Sequence, residues 1–250
     1  MILIEQVCCS LLGTSKILCP DWLNSLDANI IKRKTKGGVD VLYKFIKRGF
    51  DLLFSLCAII ILTPIIIIVS LAIKLDDGGH IFFFHSRIGL KAKQIKIIKF
   101  RTMKQGIINP KQSLPTDLYS QYIKEYRLEN DPRETKVGRR LRRCNLDEIP
   151  QFFNVLFGNL SLVGPRPITL DELTFYTKKE REMLLSIKPG LTGYWQTYGK
   201  GQTSYLDNSR QKMELYYVQN KSVILDIKII IHTMKQIIKE VLHELFCKAE

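Results

Sequence analysis

The stretch Leu52–Ile73, LLFSLCAIIILTPIIIIVSLAI, decides how this chain is organised. Its 22 residues carry no charged side chain and are long enough to cross a hydrocarbon core as a helix. Soluble cores rarely hold such a run, which sets aside a buried core helix. A signal peptide fits no better, because the run is too long, starts about fifty residues in, and lacks a small-residue cleavage site. Lys32, Arg33, Lys34, Lys36, Lys44, Lys47 and Arg48 precede it; Lys74, Arg87, Lys91, Lys93, Lys96, Lys99 and Arg101 follow. Both flanks are basic, so the positive-inside rule favours the cytoplasm for both. In the middle stand Thr63 and Pro64, and a proline removes one helical hydrogen bond and bends the helix. A kinked hairpin entering and leaving one leaflet fits both observations; a kinked spanning helix is the alternative. Asp51 is expected near the headgroups.

Upstream, residues 1–40 form a leader ending in the basic tract IKRKTKGG, suited to anionic headgroups or simply solvated. Downstream, IFFFHSRIGLKAKQIKIIKFRTM (81–103) predicts two short strands joined by a Gly- and Lys-rich turn. A short helix is expected around Tyr119–Leu128 and another over 146–157. Thr177-Lys178-Lys179-Glu180 matches a capping box and opens a helix to about Ile187. KPGLTGYWQTYGKGQTS (188–204) reads as a loop. Ile227, Ile231, Met234, Ile238, Val241 and Leu245 recur at helical spacing between charged residues. They predict an amphipathic helix that packs on the core or lies in the membrane interface.

Hydrophobic residues make up 46% of the chain, so a core can form. Lys and Arg total 38 against 24 Asp and Glu, a net charge of +14 that favours nucleic acid, a membrane surface or phosphorylated substrates as partner. Six scattered cysteines without a CxxC pair support neither a zinc ribbon nor a disulfide scaffold. Four histidines without HxH or HxxxH spacing make a histidine-built metal site improbable.

The chemistry concentrates in DPRETKVGRRLRRCNLDEIPQFFNVLFGNLSLVGPRP (131–167). Arg133, Lys136, Arg139, Arg140, Arg142 and Arg143 crowd its start. Guanidinium forks suit phosphate oxygens, although most charge runs are solvated faces. Asp147 and Glu148 follow. Neighbouring residues point about 100° apart on a helix, so a division of labour is natural: one carboxylate attacks phosphorus, the other holds a hard cation such as Mg²⁺. Asn145 or Asp147 as N-cap, with Pro150 early in the helix, puts the pair at a helix N-terminus. Taken alone, an Asp-Glu dipeptide is a weak signal.

Several blocks in one order carry a resemblance: KRGFD (47–51) leading into the apolar run, FFFHSRIG (82–89), KFRTM (99–103), DPRETKVGRRLRR (131–143), LDEIPQFFNVLFGNLSLVGPRP (146–167), KPGLTGYWQ (188–196) and LDIKIIIHT (225–233). From about Lys47 to Thr233 the chain resembles the bacterial sugar transferases, the monotopic polyprenyl-phosphate phosphoglycosyltransferases. The resemblance implies transfer of a sugar-1-phosphate from a nucleoside-diphosphate sugar, by family habit a UDP-sugar, to undecaprenyl phosphate. Nucleoside monophosphate is released in a ping-pong reaction that opens capsule, exopolysaccharide, O-antigen or glycoprotein glycan synthesis. It makes Asp147 the nucleophile of a phosphosugar-enzyme intermediate and Glu148 the Mg²⁺ ligand. Arg142, with Arg143, serves the polyprenyl phosphate; Lys99, Arg101, Pro165, Arg166 and Pro167 serve the nucleotide sugar. It favours the hairpin, with Thr63 and Pro64 as the break.

The implied fold is α+β and mostly helical. A leader of unknown role (1–40) precedes a re-entrant helix-break-helix anchor (41–76) and a catalytic domain (77–250) with amphipathic interfacial helices and a small β-hairpin. The expected location is the inner membrane, with the catalytic domain facing the cytoplasm and a homodimer as candidate assembly. His85 stands where the family has Gln, His80 where Pro is common, and Leu160 where Met is usual. The family's larger members carry several transmembrane helices ahead of this domain, so a short form is expected here. A membrane scaffold with a dead site is the competing reading, opposed by the intact Asp147, Glu148 and Arg166. Nucleic acid is not an expected partner, since no motif for it accompanies the charge.

Overall fold

The computed structural model describes residues 37–106, 113–125, 128, 130–199 and 201–246. The described residues from 41 onward form one compact unit. Most of the expected leader, including the basic tract at 32–36, lies outside the described residues. Helix α1 runs Gly37–Asp77. From Val41 it is long and apolar enough to cross a membrane, and its side chains are open over the middle, with Ile61 72% and Ile68 65% exposed. The helical residues continue without interruption through Pro64, so the expected helix-break-helix is not two helices joined by a break. Proline costs one main-chain donor there, and the neighbouring Thr63 Oγ1 donates to Ile59 O at 2.7 Å.

Both ends of α1 are fixed to the same domain. At its start, Arg48 donates to the carbonyls of Val155 and Leu156 at 2.8 and 2.9 Å. Lys47 pairs with Asp226 at 2.6 Å. Asp51, expected near the headgroups, is 3% exposed inside the protein and accepts from Leu162 N at 3.0 Å. At its far end Val69 and Ile73 pack with Phe100 and Leu141, Asp76 accepts from Val137 N at 3.0 Å, and Asp77 pairs with Arg101.

Strands β1 (Phe82–Ile88) and β2 (Gln94–Phe100) form the expected antiparallel hairpin, in register from Phe82↔Phe100 to Ile88↔Gln94. Opposed residues share a face, so Phe83, His85 and Arg87 lie on one side with Lys99, Ile97 and Ile95. Ile95 and Ile97 fill the main core with Val155, Leu160, Leu162 and Tyr217; Leu160, in place of the family's Met, is fully enclosed. Helix α2 (Thr116–Glu125) overlaps the helix expected around Tyr119–Leu128, starting earlier and leaving Leu128 outside it. Helices α3 (Lys136–Arg143) and α4 (Gln151–Leu156) follow, with a single 3-10 turn, Leu146–Glu148, between them.

Beyond strand β3 (Ser161–Val163), helices α5 (Leu170–Leu173) and α6 (Lys178–Leu184) each open on a capping box, at Thr169–Glu172 and at Thr177–Glu180. The segment read as a loop instead holds strand β4 (Gly190–Thr192), paired in parallel with β3, and helix α7 (Tyr194–Tyr198). Its glycines mark close backbone approach: Gly164 N donates to Thr192 O at 2.9 Å and Gly190 N to Pro165 O at 2.8 Å. Helices α8 (Ser209–Asn220) and α9 (Val223–Phe246) end the described chain. On α9, Ile229 enters the core, whereas Ile227, Ile231, Met234 and Ile238 are each about half exposed. The apolar stripe expected on this helix therefore faces away from the core.

Removing the Asp51 carboxylate would leave Leu162 N–H buried without its acceptor, a cost of about 1–3 kcal/mol. Asp51→Ala should therefore lower the thermal midpoint in detergent by several degrees. Asp51→Asn retains an acceptor oxygen and should lose less; equal midpoints for all three proteins would remove this contact from the anchor's attachment.

Candidate active site

Asn145 takes a left-handed conformation (φ 54°) and turns the chain out of α3; its Nδ2 donates to Glu240 on α9 at 2.5 Å. The 3-10 turn that follows carries Asp147 inward, 8% exposed, while Glu148 stays partly accessible. The dyad thus precedes α4 instead of forming its first turn. Pro150 occupies the N-cap position, and a six-residue helix lends little dipole.

Lys99, near the end of β2, supplies the positive charge. Its Nζ lies 2.7 Å from Glu148 Oε1 and 3.7 Å from Asp147 Oδ2. Burial pushes the Asp147 carboxyl above its ordinary range; Lys99 pulls it back, Glu148 pushes it up again, and Arg142 favours the ionised form. The two carboxylates are hard oxygen donors. Among the described residues no group of three or more His, Cys, Asp or Glu side chains could hold a metal. This donor set fits a cation such as Mg²⁺, which takes one or two carboxylates and completes its shell with phosphate and water.

The basic run upstream is mostly committed. Asp131 and Arg133 form a buried pair at 2.6 Å. Glu134, 6% exposed, accepts from Arg142 at 2.7 Å and lies 3.6 Å from Arg139. Arg142 is thus held by Glu134, and its charge is felt at Asp147, whereas Arg143 is exposed. Arg101 is not brought to the dyad: its guanidinium holds the Asp77 carboxylate and the carbonyls of His80 and Met103. His80, where the family has Pro, takes part through a carbonyl that Pro would also supply.

Pro165, Arg166 and Pro167 lie beside a second buried charge cluster that sequence reasoning missed. Glu172, 4% exposed, is the N3 residue of the first capping box and accepts from Thr169 N at 2.7 Å. It also pairs with Arg87 at 2.9 Å and Arg210 at 3.5 Å. Arg210 lies 3.8 Å from the Trp195 ring centre and 4.0 Å from that of Tyr205. The Thr-x-x-Glu spacing was a usable signal for Glu172; Arg87, Arg210 and Glu214 carried none. His85 shares its hairpin face with Lys99 and Arg87. Burial, then the positive charges of Arg87 and Lys99, push its imidazole down to about 4, so it is neutral at pH 7.

Glu214 on α8 is 1% exposed, and burial pushes its carboxyl up to about 7 against the pull of Arg210. Its folded pKa exceeds the ordinary value of 4.5, so between about pH 4.5 and 7 the folded protein keeps a proton that the unfolded chain has shed. This part of the stability is full at acid pH and lost as pH rises through that window. Glu214→Gln has no such proton, so its thermal midpoint should fall less than the parent's between pH 5 and 8. Parallel midpoint curves for the two proteins would refute the linkage.

The model of the bacterial sugar transferase family matches residues 42–240. Exopolysaccharide production protein ExoY of Sinorhizobium fredii is 39% identical over 191 residues, covering 75% of this chain and 83% of that protein. An uncharacterized sugar transferase of Haemophilus influenzae is 39% identical over 201 residues, covering 78% of this chain. UDP-glucose:undecaprenyl-phosphate glucose-1-phosphate transferase of Escherichia coli is 35% identical over 196 residues, covering 76%. The match spans only 41% of the Haemophilus protein and 40% of the Escherichia one. With a buried aspartate beside a lysine-bridged glutamate inside the matched segment, the chain belongs to the bacterial sugar transferase family.

Proposed function

We propose that this protein transfers a sugar-1-phosphate from a UDP-sugar to undecaprenyl phosphate, releasing UMP, as the first membrane step of a surface polysaccharide or glycoprotein glycan. The observation that carries the reading is Lys99 bridging Asp147 and Glu148 in a chain of this family. Relatives with named substrates support it: the Escherichia protein is named for UDP-glucose and undecaprenyl phosphate, and one from Erwinia amylovora for UDP-galactose and a lipid carrier.

The two-step course assigns each group. Asp147 Oδ attacks the β-phosphorus of the UDP-sugar, the bond to the bridging oxygen breaks, and UMP leaves with that oxygen and its electron pair. An oxygen of undecaprenyl phosphate then attacks the same phosphorus, the bond to Asp147 breaks, and the carboxylate is restored. Lys99 favours the ionised form of Asp147 against the effect of burial and offers positive charge to the diphosphate. Arg142, paired with Glu134, faces the acceptor phosphate, and Arg166 the nucleotide sugar. Mg²⁺ held by Glu148, when bound, would neutralise charge on the diphosphate.

The same reading makes α1 re-entrant. Its two ends contact one domain, and a domain stands on one side of a bilayer, so a straight crossing would tear one set of contacts away. The exposed stripe of α9 is read as an interfacial face. The inner membrane, with the domain in the cytoplasm, is the corresponding location.

Asp147→Asn keeps the shape and removes the nucleophile. Turnover should drop about a thousandfold or more, and mass spectrometry should find a phosphosugar adduct only on the parent. Turnover with no adduct on Asp147 would replace the two-step course by direct transfer. EDTA should abolish activity and Mg²⁺ restore it; full activity in EDTA would take Glu148 out of the metal role. Cysteines placed near residues 44 and 80 should label from one face of sealed vesicles. Labelling from opposite faces would make α1 a spanning helix.

A further inference from the structure

Two prolines leave the segment Pro165–Arg166–Pro167 with a single main-chain donor, the N–H of Arg166. That donor goes to Glu214 Oε2 at 3.0 Å. The carbonyl side of the segment is tied to β4 through Gly190 N and Pro165 O, and its exit is tied to the hairpin through Ile88 N and Ile168 O at 2.8 Å. Between these ties, Glu214 is the hydrogen-bond partner of the Arg166 backbone. The Arg166 side chain lies 5.6 Å from the Trp195 ring centre, on the ring that also carries Arg210. Arg210 stands one turn before Glu214 on α8. Burying a carboxylate here is costly: Glu214 is almost wholly enclosed and its Oε1 has no hydrogen-bond partner among the described residues. Core filling does not account for such a group, because an apolar side chain of similar size would pack without that penalty.

We infer that Glu214 is a positioning residue that acts through Arg166, fixing the backbone from which the arginine reaches the nucleotide sugar. The inference rests on the role given to Arg166 above. Glu214 itself touches no reacting atom; its carboxylate sets where the guanidinium starts.

The test is a double-mutant cycle on the full chain in detergent. It uses undecaprenyl phosphate and whichever of UDP-glucose, UDP-galactose and UDP-N-acetylgalactosamine is turned over. Arg166→Ala should raise the nucleotide-sugar KM by about tenfold or more. Glu214→Leu should raise the same KM by a similar factor, with a smaller loss in kcat and an unchanged KM for the lipid. Glu214→Gln, which keeps an acceptor for Arg166 N–H, should stay within about twofold of the parent. In the Arg166→Ala background, Glu214→Leu should add less than about twofold, because residues acting as one unit are not additive. If the two effects multiply instead, Glu214 acts independently of Arg166 and the inference is overturned. If Arg166→Ala leaves the KM unchanged, the role of Arg166 falls first and the inference with it. If no nucleotide sugar is turned over, the activity itself fails and the inference falls with it. Should Glu214→Leu not fold, Glu214→Asp, which shortens the reach by one methylene, replaces it in the cycle.

Discussion

The attachment of one apolar helix to a charged domain governs this molecule. Asp51 stands at the boundary between the two. It is enclosed, accepts a main-chain hydrogen bond from the middle of β3, and lies one turn after Lys47 and Arg48, which grip α9 and the carbonyl end of α4. A buried carboxylate without such partners would be strongly destabilising. Here it joins the membrane element to the strand that leads into the Pro-Arg-Pro segment. The dyad sits at one end of α4 and the Arg48 contacts at the other, so the turn that carries Asp147 and Glu148 is one short helix away from the anchor.

Around that frame, positive charge has been divided. A net charge of +14, taken alone, describes an undifferentiated basic surface. Several of the cations near the site are instead held by specific carboxylates: Arg133 by Asp131, Arg142 and Arg139 by Glu134, Arg101 by Asp77, Arg87 and Arg210 by Glu172, and Lys99 by the dyad. Each pairing fixes a guanidinium or ammonium in place, so an anion bound there would meet a group already ordered.

What could be read in the sequence follows from range. The apolar run, the hairpin and the Thr177 capping box depend on residues a few positions apart, and all three are present. The dyad, Arg166, Lys99 and Arg101 were marked by family pattern, but what each touches was not. Lys99 pairs with Glu148, 49 residues on, and Arg101 with Asp77, 24 residues back, partners that local spacing cannot reveal. The parallel pairing of β3 with β4 joins segments about thirty residues apart, so the Gly- and Pro-rich stretch looked like loop alone. Glu214 and Arg210 were illegible for the same reason: single charges on a helix look solvated until the fold brings them together. Glu172 was legible only as a capping residue, not as the partner of Arg87 and Arg210.

Fastening α1 at both ends separates two properties of its middle section that usually vary together. Leu56, Ile60, Ile61 and Ile65 point away from the domain, so one oily side chain there can stand in for another. Their number has no such latitude. One residue added or removed between the two fastenings would turn the far end by about 100° and shift it by about 1.5 Å. Val69 and Ile73 would then miss Phe100 and Leu141, and Asp77 would miss Arg101. For this anchor, length is a hard specification and composition a soft one, the reverse of what is expected of a greasy tether.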